Sequence, residues 1–199
     1  DNLTATEGAN DTLIVTATYK LGSLQKAEWH IAPDGGARLV YSYVFNGVVD
    51  LMGVKFDLPE TEVKHKEWLG CGPYRVWKNR IHGPQLGVWA NDYNDPVPGE
   101  SFDYPEFKGY FAGVQWMKLQ TKTGMITICP GTDKDYVGVY QPRDGRDQLL
   151  YTLPETGISM MQVIPAVRNK VNTTDLNGPS AQPVWANGSY TGEVTLHFD

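Results

Sequence analysis

The segment "WLGCGPYRVWKNRIHG", residues 68–83, brings together side chains that suit sugar recognition. It holds aromatic rings and three cationic side chains but no carboxylate. A Trp face stacks well on the C–H face of a pyranose ring, and Arg or Asn side chains donate hydrogen bonds to hydroxyls or to a uronate. The candidate carbohydrate ligands in this segment are Tyr74, Arg75, Trp77 and Asn79. The same residue types also suit a buried structural turn, so both interpretations stay open.

A glycine-hinged corner would position these side chains. Gly70 and Gly72 permit backbone angles closed to other residues, and Pro73 stiffens the turn. A strand that ends there is expected to project Tyr74, Arg75 and Trp77 outward. Within the same segment, the favoured interpretation of Trp68 and Arg80 is structural.

A second candidate region is the stretch "VWANDYNDPVPGESFDYPEF", which follows in the long loop-like region 83–109. Its candidate carbohydrate ligands are Trp89, Tyr93, Tyr104 and Glu106. The stretch is also rich in carboxyl and amide oxygens, which are the ligands that Ca²⁺ prefers. Since the EF-hand spacing is absent, we expect no cofactor and keep calcium as the alternative. A solvated loop packed against a neighbouring domain would explain the same composition.

The sequence offers little for independent catalysis. A glycosidase needs two carboxylates across the scissile bond, but Glu100 and Glu106 share one loop and nothing marks either as buried. Among the four histidines, His82 is the one that lies close to the candidate ligands of the first segment in the sequence. Serine nucleophile, phosphate-loop and zinc motifs are absent from the sequence. We therefore expect the chain not to be catalytic alone.

Charge and hydropathy exclude two classes of partner. Seventeen Lys and Arg against 23 Asp and Glu give a net charge of −6, which argues against nucleic acid because phosphate binding needs clustered cations. No apolar run approaches 18 residues, so no membrane span is expected. The chain starts at Asp1 without Met or a signal peptide. This fits a mature exported protein or an excised fragment, and we expect a periplasmic or secreted location.

The elements that must carry the candidate residues are predicted to be β-strands. Runs rich in β-branched and aromatic residues alternate with turn signals, and no segment keeps a 3.6-residue period. The pair Ala27–Pro33 and Ala37–Asn46 indicates a hairpin about "DGG", and the Asn-Gly pairs at Asn46 and Asn187 indicate further turns. The pattern predicts an all-β chain, an antiparallel β-sandwich with few or no helices. We expect one sandwich domain over residues 1–199.

The first segment resembles a family signature. The C-terminal β-sandwich of glycoside hydrolase family 2 β-galactosidases, the small-chain domain, carries the pattern Trp-Leu-Gly-x-Gly-Pro-x-Glu-x-Tyr-x-Asp-Arg. Here "WLGCGPYRVWKNR" is similar, with Trp77 in the aromatic place. The stretch "YPEFKGYFAGVQW" and the closing "GSYTGEVTLHFD" look like diverged copies of later parts of that domain. The resemblance implies the galactose mutarotase-like supersandwich, and in that family the catalytic glutamates lie on a separate barrel domain.

The departures from the signature concern charge. The family's Glu is Arg75 here and its Asp is Asn79. The family's late Trp, which lines the sugar site, has no counterpart in "PAVRNKVNTTDLNGPS". The resemblance therefore implies a fold and an accessory role more than it implies galactose specificity.

Three functions follow as expectations. The leading one is an accessory domain of a family 2-like glycoside hydrolase, which completes a carbohydrate site together with the catalytic and sandwich domains of the same parent chain. A free-standing carbohydrate-binding module and a structural spacer without a ligand are the alternatives.

Overall fold

The computed structural model describes residues 1–58, 62–92, 109–139, 157–166 and 178–199. In these ranges the regular structure is β-strand, apart from short 3₁₀ turns such as Ala9–Asp11 and Pro179–Ala181. The strands are β1 (Asn2–Glu7), β2 (Leu13–Thr18), β3 (Leu24–Ile31), β4 (Gly36–Val49), β5 (Met52–Phe56), β6 (Val63–Val76), β7 (Gln85–Asp92), β8 (Tyr110–Thr121), β9 (Met125–Pro130), β10 (Tyr136–Val139), β11 (Ile158–Val163) and β12 (Val184–Phe198). No helix in these ranges has the length and hydrophobicity that a membrane crossing requires.

The strands pair antiparallel in the order β1-β2-β3-β4-β12-β9-β8-β10-β11-β5. Strands β6 and β7 extend from β8 as a branch, because the long β8 pairs with β6 as well as with β9 and β10. The late strand β12 lies between β4 and β9. Chain order and spatial order therefore differ most at β12.

The core lies between the large curved sheet and the small sheet β10-β11-β5. Alternate residues of β4 are buried, as expected for a strand with one covered face. Leu39 and Val194 from the large sheet share one hydrophobic cluster with Ile158 and Met160 from β11. The predicted antiparallel β-sandwich is confirmed.

The predicted hairpin is also confirmed, since β3 and β4 pair about the "PDGG" turn. Ala32 N donates to Gly36 O over 2.8 Å. Gly35 has φ +88°, a backbone angle that glycine adopts at little steric cost. The "PDGG" turn predicted from the sequence is therefore the turn that joins β3 and β4.

Two local predictions were wrong. The Asn-Gly pairs lie inside long strands, where Asn46 of β4 faces Asn187 of β12, instead of forming turns. Gly188 N donates to Asn46 Oδ1 over 2.9 Å across that pair. The loop-like region 83–109 contains the strand β7, which pairs with β6 along its whole length. Both errors arise because long-range pairing can override local turn and loop signals.

Candidate functional site

The glycine-proline segment is a strand held closely against its neighbours. A side chain at Gly70 would come within 3.1 Å of the β8 backbone at Ala112 O and Val114 Cα. A side chain at Gly72 would come within 2.6 Å of the Trp89 ring on β7. The Gly72–Pro73 peptide is cis. The two glycines therefore serve close packing of β6 against β8 and β7.

Arg75 and Trp77 are buried, so the prediction that they project outward is wrong for both. Arg75 is 8% exposed and Trp77 is 1% exposed. Arg75 Nη1 donates to Val139 O over 3.2 Å, and its guanidinium lies 4.9 Å from the centroid of the Phe111 ring. Trp77 packs edge-on against Tyr110 with centroids 6.0 Å apart. The physical reason is a register shift of β6 on β8 beyond Cys71, which turns three consecutive residues into the interior.

Tyr74 remains at the surface of the same segment. Its side chain is 50% exposed. A β-bridge between Trp77 and Arg80 closes the turn that follows, and Asn79 is half-buried in that turn. Lys78 anchors that turn, because its backbone N–H donates to Pro165 O over 3.0 Å. Sugar contact by Tyr74 and Asn79 stays a prediction, and burial disfavours it for Arg75 and Trp77.

Trp89 fills the space left by glycines. It is half-buried over Gly72 and Gly87, and its Nε1 donates to Gln85 O over 3.1 Å. An indole in this position stabilises the β6–β7 pair, and whether it also contacts a sugar stays a prediction.

The remaining sequence candidates, Tyr93, Tyr104 and Glu106, lie in 93–108, outside the described residues. The calcium alternative concerns mostly the same stretch and is untested. Within the described ranges, no three His, Cys, Asp or Glu side chains come together as metal ligands would. Cys71 and Cys129 are free thiols.

A row of tyrosines on the inner face of β4 and β12 was missed by sequence reasoning. Tyr43 stacks on Tyr190 at 5.4 Å and on Tyr41 at 6.3 Å between ring centroids. The Tyr43 hydroxyl donates to Gln162 Oε1 on β11 of the facing sheet. Gln162 Nε2 donates in turn to Thr191 O over 2.8 Å. Aromatic faces beside an amide thus line the part of the sandwich interior where β4 and β11 meet.

A buried acid lies close enough to this row to act on the charge states of Tyr41 and Tyr43. Asp135 is 4% exposed, and its Oδ2 has no hydrogen-bond partner among the described residues. Burial raises the pKa of Asp135. Burial, and next the charge of Asp135, raise the pKa values of Tyr41 and Tyr43, to about 12 for Tyr43. Tyr41 and Tyr43 therefore remain protonated hydroxyls near neutral pH.

The ring of Tyr41 depends on a glycine in the facing strand. A side chain at Gly192, its register partner, would come within 2.2 Å of Tyr41 Oη. The sequence signal for the row was the period-2 placement of Tyr41 and Tyr43 in one strand, opposite Gly192 and Tyr190 in another. That pattern becomes visible only when the register of β4 and β12 is known.

Comparison with known proteins gives one family and one fold likeness. Residues 2–167 match the family described as beta galactosidase small chain. No curated protein matches the chain. A solved structure from Escherichia coli, of a protein named as an aldose 1-epimerase, is 12% identical, covers 100% of this chain and 69% of its own, and has a TM-score of 0.40. Because the family match extends over most of its residues, this chain belongs to the beta-galactosidase small chain family.

Proposed function

We propose that this chain is a non-catalytic accessory domain of a β-galactosidase-like glycoside hydrolase, and that it helps to shape the sugar site of a separate catalytic domain. The observation that supports the proposal is the family match over residues 2–167. A periplasmic or secreted location belongs to the same proposal.

The geometry supports a specific way of presenting side chains to that site. Buried Arg75 and Trp77 fix the backbone that follows Tyr74, and the close approach of Gly72 to Trp89 fixes the backbone that precedes it. Tyr74 therefore extends from a closely packed part of β6 with half of its side chain exposed. A ring held in this way loses little conformational entropy when a sugar or a neighbouring domain packs against it.

The test uses the complete protein that contains this chain and measures kcat/KM for 4-nitrophenyl β-D-galactoside. Deletion of residues 1–199 is expected to lower kcat/KM strongly. Tyr74→Ala is expected to lower it by about fivefold to tenfold, the size of one lost aromatic contact. Leu21→Ala is the control, because Leu21 is 87% exposed in the turn between β2 and β3. If neither the deletion nor Tyr74→Ala changes kcat/KM, the proposal is wrong.

The burial of Arg75 and Trp77 favours one alternative, a structural spacer. A spacer predicts that the deletion destabilises the complete protein while Tyr74→Ala leaves kcat/KM unchanged. A free-standing carbohydrate-binding module predicts instead that the isolated chain binds galactose, which a titration followed by NMR would detect. The three functions therefore give three different sets of results.

A further inference from the structure

A cavity of about 560 Å³ opens between the large sheet and the small sheet. Its floor is formed by Tyr43, Met52 and Met161, each less than 10% exposed. Its rim carries the exposed residues Ser23 and Lys55. Apolar side chains from β3, β4 and β5 form the walls between floor and rim. The volume lies in the range of small-molecule sites, and the lining changes from apolar inside to polar outside.

Among the described residues that line the cavity, no charged group is left unpaired. Lys55 Nζ lies 3.0 Å from Asp57 Oδ1, so the cation at the rim is already paired. The Tyr43 hydroxyl is bonded to Gln162 on β11. The Ser23 hydroxyl is the rim group that can both donate and accept a hydrogen bond. This distribution favours a ligand without net charge.

We propose that this cavity binds a small uncharged amphipathic molecule, with an apolar chain or ring on the Met52 and Met161 floor and a hydroxyl-bearing head at the Ser23 rim. The apolar part gains free energy when it leaves water for the apolar floor of the cavity. The head keeps its hydrogen bonds with Ser23 and water. The cavity lining does not include Tyr74, and the proposed binding site does not depend on the proposed accessory function.

The five methionines of the chain allow a direct test on the isolated 199-residue chain. Met52 and Met161 line the cavity, whereas Met117, Met125 and Met160 do not. With ¹³C-methyl methionine labelling, n-octyl β-D-galactoside below its micelle concentration is expected to shift the Met52 and Met161 signals saturably and to leave the other three in place. The same titration is run with 1-octanol and with galactose.

Comparison of the three titrations shows what causes any shift of the methionine signals. Weaker binding of 1-octanol and no binding of galactose support the proposal, because both the apolar body and the head then contribute. Equal shifts of all five methyl groups would show a general detergent effect and overturn it. Absence of any shift, a response to galactose alone, or equal affinity for 1-octanol would also overturn it.

Two variants with the same chemical change locate the site. Val54→Phe fills the cavity from its wall and is expected to weaken octyl galactoside binding at least tenfold. Val44→Phe adds the same ring on the exposed face of β4, outside the cavity, and is expected to leave the affinity unchanged. Ser23→Ala, at an exposed position, provides a change that does not depend on repacking and is expected to weaken binding about threefold to tenfold. Unchanged affinity in both Val54→Phe and Ser23→Ala would contradict the proposal.

Discussion

At the residue scale, Asp135 lies in an environment that disfavours the charged form of its carboxyl. Its carboxyl is almost fully buried beside Tyr41, and one of its oxygens has no partner among the described residues. Burying a charge without a partner is costly, so the proton is held more tightly in the folded chain. The unfolded chain releases that proton at a lower pH than the folded chain does.

The free energy of unfolding should therefore depend on pH through Asp135. The folded-state pKa is raised, so this contribution to stability is present below the unfolded pKa and is lost as pH rises through the folded pKa. Asp135→Asn removes this titration and is expected to be more stable than the wild type at pH 7.5 but not at pH 3.5. Urea unfolding of both proteins across this range measures the difference.

Asp34→Asn is the control for this pH series, because it makes the same chemical change at an exposed position in the β3–β4 turn. A wild type that gains stability relative to Asp135→Asn as pH rises would contradict the prediction. That result would mean that the carboxylate has a partner in solution, such as a bound cation.

At the element scale, the packing of β6 gives the segment 68–83 a structural role. It also explains why Arg75 and Trp77 were wrongly predicted to be exposed. Residues 66–72 alternate between buried and more exposed positions, but Arg75, Val76 and Trp77 are buried in succession. The interruption coincides with the register shift on β8. Periodicity along one strand cannot reveal a shift that depends on its partner.

Alanine substitutions at Arg75 and at its neighbour Tyr74 should therefore differ sharply in their effect on the free energy of unfolding. Arg75→Ala leaves Val139 O without the Nη1 donor and removes the cation from the Phe111 ring, so a loss of about 1–3 kcal/mol in the free energy of unfolding is expected. Tyr74→Ala changes a half-exposed side chain and should cost within about 0.5 kcal/mol. Chemical denaturation of the two variants provides the comparison. An equal loss in the free energy of unfolding for both variants would mean that the two side chains are equally buried, and it would contradict the structure.

Element types were largely predictable from the sequence, whereas their partners were not. The strand-rich class and the β3–β4 hairpin followed from β-branched runs and the "PDGG" turn. The neighbours of β12 did not follow, since Val184–Phe198 carries no local mark of pairing with both β4 and β9. The tyrosine row was missed for the same reason. Its members, Tyr43 and Tyr190, are adjacent only through that pairing.

At the scale of the whole molecule, β12 joins two parts of the sheet. It pairs with β4 along nearly its whole length and with β9 near its end. The family match ends at residue 167, so the part of the chain that carries the match depends on a strand outside it. By contrast, β1 lies at the sheet edge with every side chain exposed.

Deleting these two strands should have opposite outcomes. Removal of residues 184–199 leaves β4 and β9 without their common partner and is expected to abolish cooperative thermal unfolding. Removal of residues 1–7 deletes one exposed edge strand and is expected to lower Tm by only a few degrees. Near-UV circular dichroism and thermal melts distinguish the two. A cooperative melt near the Tm of the complete chain after loss of residues 184–199 would contradict the topology.

The central position of β12 also has a consequence during synthesis. Arg38 on β4 and its ion-pair partner Glu193 on β12 are 155 residues apart in the chain. The ribosome therefore releases β4 and β9 well before the strand that joins them, and each has one open edge with unpaired amide and carbonyl groups. Such edges readily pair with other chains. Recombinant yield should accordingly improve when growth is cooled or when holding chaperones are supplied.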